Sequence, residues 1–569
     1  MPLILNWFLF VLLNMLEFIN ILLKIVKPLP MVKRLLVRKV RWSIRGYYKL
    51  RKDNLLRFPS ELKNKVEATR VLPKDGRLSP YIFEPLMVDH DVIVRQFLLS
   101  KYFCAYSRFN FFLMSAIGSA NNKFYFPLPL NWRQVLSGAN ISAETRLNSL
   151  LWWLGILAHW VCGVGRIMLI TFHSLCAIIS KSRWPNDYTF FAGVSEEKVP
   201  SQKNPVLEGN ILNWYAAWEG RGSSVNTLAY TAATKCKIDT LGIKVVSIKT
   251  DLPTLPSYTA LAKFLLWGGV SSILSLGLLV MGKWWDALLL SEAAKAAVVK
   301  FNTKERLAKE YFFTFGWVYH WTYRPIWTYL AESMGSKIFF YFSSTNSEQF
   351  KTENGYIPLL FDWRPINWPN YVVWDHYQED WIVRHSRVEA RFHIAGPIHL
   401  SGKVPFEVDY HKKSLAVFDV MPVRFSMYAT IGLEKEYYVR KTCIDFVRDI
   451  IDTAAQLSCH VYLKTKKEVS EKILDASYRQ LLTSLSDHDN VTVLRGDYPA
   501  ETLIKKTKAS VSMPWTSTAV MADYYNKATC YYDSTETLLH DDLAAHGVPV
   551  CIGKKELHQY LLTVFEERA

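Results

Sequence analysis

The sequence contains no Cys-x-x-Cys pair. Its eight cysteines (Cys104, Cys162, Cys176, Cys236, Cys443, Cys459, Cys530 and Cys551) stand singly in apolar surroundings. That spacing argues against a structural zinc site and a disulfide framework, and it reads as buried thiols in a reducing compartment. A Walker loop, a Gly-x-Ser-x-Gly elbow and a His-Glu-x-x-His helix are also missing, which sets aside P-loop, hydrolase and zinc-protease chemistry. Gly163 and Gly165 have no third glycine to make a dinucleotide loop. No DNA- or RNA-binding signature is present, so no nucleic-acid partner is expected. Long polar tracts are absent too, and a chain that is half hydrophobic has the material for real cores.

Acidic residues are scarce in one place. Between Lys24 and Arg57 stand twelve Lys or Arg and a single acid, Asp53, so this stretch carries 12 − 1 = +11 of the formal net charge of +17. A basic block beside an apolar segment points to anionic lipid rather than to nucleic acid. The apolar segment is residues 1–23, where Glu17 is the one charge. It lacks a basic start and a small-residue cleavage site, so it reads as a membrane-attachment segment and not as a removable leader. The following stretch has helical periodicity. It places Arg34, Arg38, Arg41, Arg45, Lys49 and Lys52 on one face and Val32, Leu35, Leu36, Val40, Ile44 and Tyr48 on another.

Two further apolar runs lie near 147–180 and 264–282. The second is uncharged and long enough to span a bilayer, while the first contains His159, Arg166 and His173. Strand-like pieces occur between the runs (188–192, 245–248) and after them (338–342). Strands of one sheet cannot lie on opposite sides of a membrane, so the runs are expected to be buried or to dip into one leaflet.

From about residue 300 short apolar strands alternate with helices. Strands are expected at 338–342, 371–374 and 392–395, and after Gly396-Pro397 at 415–418, 461–463, 491–494 and 509–513. Helices are expected at 437–457, 470–485 and 500–507 and from Thr518. The pattern implies an α/β protein with two Rossmann-like domains facing each other, and ligands bound beyond the strand carboxyl ends. The expected division is a membrane-attachment segment (1–60), an N-terminal acceptor domain (61–395) with apolar helical insertions at 147–180 and 258–290, and a C-terminal donor domain (396–569).

The sharpest local feature is Ser512-Met-Pro-Trp-Thr-Ser-Thr518 between a strand and a helix. Thr516, Ser517 and Thr518 at a helix start, with free amides beside them, suit a phosphate, although a cap alone needs just one hydroxyl. Lys464, Lys466 and Lys467 follow a strand directly and can neutralise the same donor phosphate. Arg495, Gly496 and Asp497, after another strand, are candidates for holding the base or ribose. Glu348 and Asp375, each after a strand of the first domain, are candidate bases for an acceptor hydroxyl. Cations and hydroxyls suffice for the leaving group, so no metal or cofactor is expected.

The stretches 512–519 (SMPWTSTA), 396–401 (GPIHLS), 374–377 (WDHY), 338–348 (IFFYFSSTNSE) and 126–132 (FPLPLNW) resemble a family of bacterial surface-polysaccharide biosynthesis proteins named for a Pro-Phe-Thr-Ser motif. Trp515 stands where that family usually has Phe. The resemblance implies GT-B architecture, with a membrane-associated helical extension read from the basic block. It also implies sugar transfer from a nucleotide-sugar to a capsule or O-antigen-like glycan at the cytoplasmic face of the bacterial inner membrane. GT-B transferases that use CMP-activated acidic sugars look distantly similar, and Lys466 and Lys467 stand where their His-Pro pair is expected. These resemblances imply a CMP- or UDP-linked donor and a glycan or lipid-linked acceptor, and the basic block implies anionic lipids as a further partner. A sugar-nucleotide epimerase of the same fold and a non-catalytic scaffold of an assembly complex remain alternatives.

Overall fold

The structure is a computed structural model. It describes residues 30–83, 88–100, 108–182, 184–192, 211–218, 227–231, 237–240, 243–248, 250–314, 323–345, 350–352, 355–356, 366–386, 389–398, 408–426, 429, 437–466 and 473–566. The apolar segment 1–23 and the candidate residues Glu348 and Lys467 lie outside the described residues.

Among the described residues six helices precede the first strand: α1 (Pro30–Lys52), α2 (Phe58–Ala68), α3 (His90–Leu98), α4 (Arg108–Ile117), α5 (Leu130–Gly138) and α6 (Arg146–Ile179). The basic segment is the helix its periodicity implies, and the face it packs on protein runs through Ser43, Gly46, Tyr47 and Leu50. These four are buried against α4, while Val37, Val40 and Tyr48 stay exposed among Arg38, Arg41, Arg45 and Lys49. Backbone proximity decides this. A Cβ on Gly46 would stand 2.1 Å from the Met114 carbonyl oxygen, and one on Gly118 1.9 Å from that of Trp42. The two glycines let the helices touch backbone to backbone, so the seam follows small residues rather than large apolar ones.

The first sheet contains β1 (Tyr188–Phe191), β2 (Thr227–Thr231), β3 (Lys237–Thr240), β4 (Ile243–Ile248), β5 (Glu310–Thr314), β6 (Lys337–Tyr341), β7 (Asn370–Val373) and β8 (Arg391–Ile394). Their spatial order is β8-β7-β6-β5-β1-β2-β4-β3, and all neighbours are parallel except β3 with β4. The central strands β1 and β5 are buried at every position, as a sheet covered on both faces requires. Phe191, Phe312 and Phe339 stack across three adjacent strands, with ring centroids 4.9 and 4.5 Å apart.

On the other face of this sheet lie α8 (Tyr258–Val280), α9 (Trp285–Lys300) and α10 (Ile326–Ser333), with α7 (Ile211–Ala217) elsewhere in the lobe. Helix α9 is sheathed by protein almost throughout, while α6 and α8 lie outside it, crossed by the bond from Trp160 Nε1 to the Ser272 carbonyl (3.1 Å). Neither long apolar run is a core helix, since 28% of the most apolar stretch of each is buried. Leu154, Met168, Leu266, Ile273 and Val280 are among the side chains they expose. Because β4 and β5 flank α8 and α9 in sequence and share one sheet, any crossing by α8 would have to be reversed by α9. That helix buries Asp286, Glu292 and the amphipathic stem of Lys295 in protein contacts.

The second sheet has β9 (Ser414–Phe418), β10 (His460–Lys464), β11 (Val491–Leu494), β12 (Ala509–Ser512), β13 (Ala528–Asp533) and β14 (Val550–Ile552). They are connected by α12 (Arg440–Gln456), α13 (Ala476–Ser484), α14 (Ala500–Lys506) and α15 (Ser517–Tyr524), and α16 (Gly553–Glu566) closes the lobe. The order β11-β10-β9-β12-β13-β14, parallel throughout, is the doubly wound 3-2-1-4-5-6 arrangement. The chain passes between lobes at Gly396, whose φ of +71° and closeness to the Tyr524 ring (2.4 Å from an added Cβ) exclude a side chain.

Gly118→Ala is expected to destabilise the protein by about 1–3 kcal/mol through the forced separation of α1 and α4. It should appear as a lower urea midpoint. Gly138→Ala, where an added Cβ meets nothing within 4 Å, should leave the midpoint unchanged or raise it.

Candidate active site

In the second sheet the chain runs from β9 outward through β10 to β11, then returns to β12 on the other side of β9. That reversal opens a crevice at the carboxyl ends of β9 and β12. Phe418 is in register with both Lys464 and Ser512. The Lys464 position and the start of the hydroxyl loop therefore flank one strand, about 10 Å apart at ordinary strand spacing.

The hydroxyl loop is shaped by Trp515, which has a φ of +61° and a buried ring 5.2 Å from Tyr531 and 5.7 Å from Phe350 of the other lobe. A bulky residue is uncommon in that conformation, and here packing on both sides of the indole holds it. Helix α15 starts immediately afterwards. Thr516 donates to the Met513 carbonyl (2.7 Å) and lies 3.2 Å from the Thr518 hydroxyl, which is in turn 2.9 Å from Ser512 Oγ. Ser517 faces the first lobe, where its Oγ accepts from the Thr345 amide (2.9 Å) and lies 2.8 Å from Ser344 Oγ. The three hydroxyls thus stand at one helix start, where the Ala519 amide donates to the Thr516 carbonyl (3.4 Å) and the Ser517 and Thr518 amides come before the first intrahelical bonds.

Of the basic loop, the Lys464 side chain is turned differently from the expectation. Lys464 Nζ donates to the Gly496 carbonyl (3.0 Å), and burial lowers its pKa. It ties β10 to the loop after β11 instead of extending over the crevice. The Lys466 amide donates to Asp419 Oδ1 (3.1 Å). Arg495 and Asp497 form an exposed pair (2.9 Å), a contact of small energetic weight in water.

Two functional candidates were missed in the sequence. Asp419 directly follows the central strand β9 and is buried. It accepts hydrogen bonds from Tyr478 Oη and from the Lys466 amide, and burial pushes its pKa up to about 6 against those bonds. An acid directly after an LAVF strand was the available signal. The second is His546, in the left-handed conformation (φ +54°) and buried in the loop before β14. Its Nδ1 lies 2.7 Å from Asp375 Oδ2, while Asp375 Oδ1 accepts from the Gln378 amide (2.9 Å) at the start of α11 (His376–Ser386). Asp375 thus caps a helix and also pairs with a histidine from the opposite lobe. Nothing local to His546-Gly547 announces this, because the partner is 171 residues away.

The lobes are clasped beside this pair. Asp542 accepts from the Lys351 amide (2.8 Å) and from Tyr356 Oη (3.1 Å), and Lys351 Nζ pairs with Asp541 at 2.5 Å. Trp374, at the end of β7, is buried in the core of the second lobe and donates to the Phe342 carbonyl (2.8 Å).

A family model described as Polysaccharide biosynthesis PFTS motif protein matches residues 262–561. None of the curated proteins is significantly similar in sequence. Similar solved structures include a UDP-glucosyltransferase from Polygonum tinctorium capable of glucosylating indoxyl, at 11% identity and a TM-score of 0.32 over 67% of this chain and 90% of that one. The glycotransferase of kitacinnamycin shows 11% identity and a TM-score of 0.31 over 68% and 92%. S. aureus TarM shows 11% identity and a TM-score of 0.26 over 48% and 52%.

The raised pKa of Asp419 has a signed consequence for stability. The folded state keeps this proton up to about pH 6, while the unfolded chain releases it near pH 4, so the favourable contribution present at low pH is lost between those values. Asp419→Asn is expected to flatten the stability profile there by on the order of 2–3 kcal/mol. Urea midpoints of both proteins from pH 4 to 7 check this, and equal slopes would refute it.

Proposed function

The chain belongs to the polysaccharide biosynthesis PFTS motif family, and from that premise we propose that it is a membrane-associated glycosyltransferase. It moves a sugar from a CMP- or UDP-linked donor to a growing surface polysaccharide or lipid-linked glycan. The observation that carries this reading is a single juxtaposition across the lobes. The Thr516–Thr518 helix start lies at the crevice of one sheet, and a carboxylate–imidazole pair is formed by Asp375, at the end of a strand of the other sheet.

The roles follow from the chemistry. The amides at the start of α15, with the hydroxyls of Thr516 and Thr518, suit the donor phosphate nearest the sugar. With His546 Nδ1–H donating to Asp375, the other ring nitrogen, Nε2, carries a lone pair and can act as base. In the transfer step Nε2 takes the proton of the acceptor hydroxyl as its oxygen bonds to the anomeric carbon. The anomeric C–O bond to phosphate breaks, and the electron pair leaves with the nucleotide, whose charge the helix start stabilises. Asp375 orients the imidazole and offsets its charge once protonated. Lys464 and Asp419 set the shape of the crevice floor.

The exposed apolar faces of α6 and α8, together with the cations on α1, support attachment to an anionic bilayer surface. Cytoplasmic-face placement is consistent with a soluble nucleotide-sugar donor.

Three experiments test this reading. CMP or UDP should raise the Tm of the purified protein, and the Thr516→Ala/Ser517→Ala/Thr518→Ala protein should lose that shift. His546→Ala should keep the shift and lose about 10²–10⁴-fold in transfer rate. The absence of stabilisation by any nucleotide would favour a scaffold, and turnover of a sugar nucleotide without acceptor would favour an epimerase. For the membrane, Leu266→Glu/Ile273→Glu should sharply reduce co-sedimentation with anionic vesicles while leaving the nucleotide shift intact. Unchanged co-sedimentation would remove α8 from the attachment surface.

A further inference from the structure

Far in sequence from the interlobe cleft, the helical region holds a cavity of about 520 Å³ lined by Arg70, Lys74, Arg77, Phe83, Asp89 and His90 among others. Among the described residues that line it, cations outnumber acids. Asp89 pairs with Arg70 (3.1 Å) and also caps α3 through the Asp91 amide (2.9 Å). Lys74 and Arg77 have no ion-pair partner among the described residues. The Leu78 amide donates to His90 Nδ1 (3.0 Å), which makes Nε2 the N–H of the neutral ring. Burial lowers the pKa of that ring; Asp89 opposes this and Arg77 adds to it. Among the described residues the cavity thus gathers two cations without an ion-pair partner and an imidazole donor, a lining suited to a phosphoryl anion.

Its wall is fastened to the apolar helices. Trp285 Nε1 donates to the Arg77 carbonyl (2.9 Å), the Ser79 amide to Asp286 Oδ1 (2.8 Å), and Trp267 Nε1 to the Tyr81 carbonyl (3.2 Å). Trp267 lies on α8 beside Leu266 and Val270, which are 71% and 39% exposed. The chain segment that supplies Arg77 to the cavity is thereby held against a helix whose outer face is apolar, a pairing that matches a phosphate joined to a hydrocarbon chain.

We propose that this cavity is the subsite for the phosphate of a lipid-linked acceptor, with the lipid chain lying along the exposed face of α8. The inference rests on the transferase reading for the identity of its ligand as an acceptor, but the site itself is tested without donor or turnover. The probes are phosphatidylcholine vesicles containing a small fraction of long-chain polyprenyl phosphate. Matched vesicles carry the same fraction of phosphatidylglycerol, and inorganic pyrophosphate in solution serves as a competitor. The protein is expected to bind the polyprenyl phosphate vesicles about tenfold more tightly than the matched set. Lys74→Ala/Arg77→Ala should erase that preference, yet keep the phosphatidylglycerol binding and the nucleotide-induced Tm shift. Both changed side chains are solvent-facing, and the retained shift shows that the variant is folded. Equal binding of the wild type to both vesicle sets, or a preference that survives in the double variant, overturns the proposal. So does pyrophosphate binding that matches the vesicle affinity, which would make this a site for soluble anions. A missing nucleotide shift in the wild type would count against the transferase reading and leave the vesicle comparison standing.

Discussion

Asp533, at the carboxyl end of β13, is fully buried and accepts from Tyr437 Oη (2.7 Å), the Thr535 amide (2.9 Å) and hydroxyl (2.6 Å), and the Thr537 and Leu538 amides (both 2.8 Å). Burial alone would raise its pKa, but these donors outweigh it and hold the carboxyl below its ordinary value. The loop anchored there carries Asp541, Asp542 and His546, which reach the first lobe. A cluster of donors closed around one charge gives a loop the definition of a secondary-structure element. Without it the histidine would have no fixed position relative to Asp375, and the two lobes would lose the clasp beside their shared cleft.

The first lobe does a second job with the outer layer of helices. Its sheet is insulated by α9, so α6 and α8 are free to remain apolar on their outward faces without weakening the core. If these faces lie in a bilayer surface as proposed, an in-plane arrangement satisfies the single-sheet constraint and keeps the cleft in water. The loop 77–81, stapled to α8 and α9 by two tryptophans and Asp286, lies where the apolar surface meets cationic side chains. Membrane contact, acceptor phosphate and transfer chemistry would then be arranged around one rigid lobe, with the donor held by the other.

Much of the second lobe was legible because its strands are continuous apolar runs and its helices carry ordinary boundaries. The expected helix at 437–457 is Arg440–Gln456, the one at 500–507 is Ala500–Lys506, and the hydroxyl motif does open a helix, at Ser517. The first lobe was read less fully. Its central strand Glu310–Thr314 lies in an aromatic stretch that could equally be a helix, and β2 and β3 are too polar to stand out. The packed face of α1 is not legible from periodicity, which weighs hydrophobicity, whereas the contact with α4 is decided by the two glycines that allow backbone approach.

By itself the sequence determined an α/β chain with two successive runs of buried parallel strands, a basic helix beside an apolar segment, and a hydroxyl-rich turn between strand and helix. Those features are written in local composition and spacing. Only the tertiary structure decided that Lys464 serves the loop after β11, that Ser517 meets Thr345, and that Asp375 receives His546 from the other lobe. Each of these joins residues distant in the chain, and hydrogen-bond geometry at that separation leaves no trace in either partner's neighbours. The same holds for the outward apolar faces of α6 and α8, since an apolar run looks alike whether protein or lipid covers it.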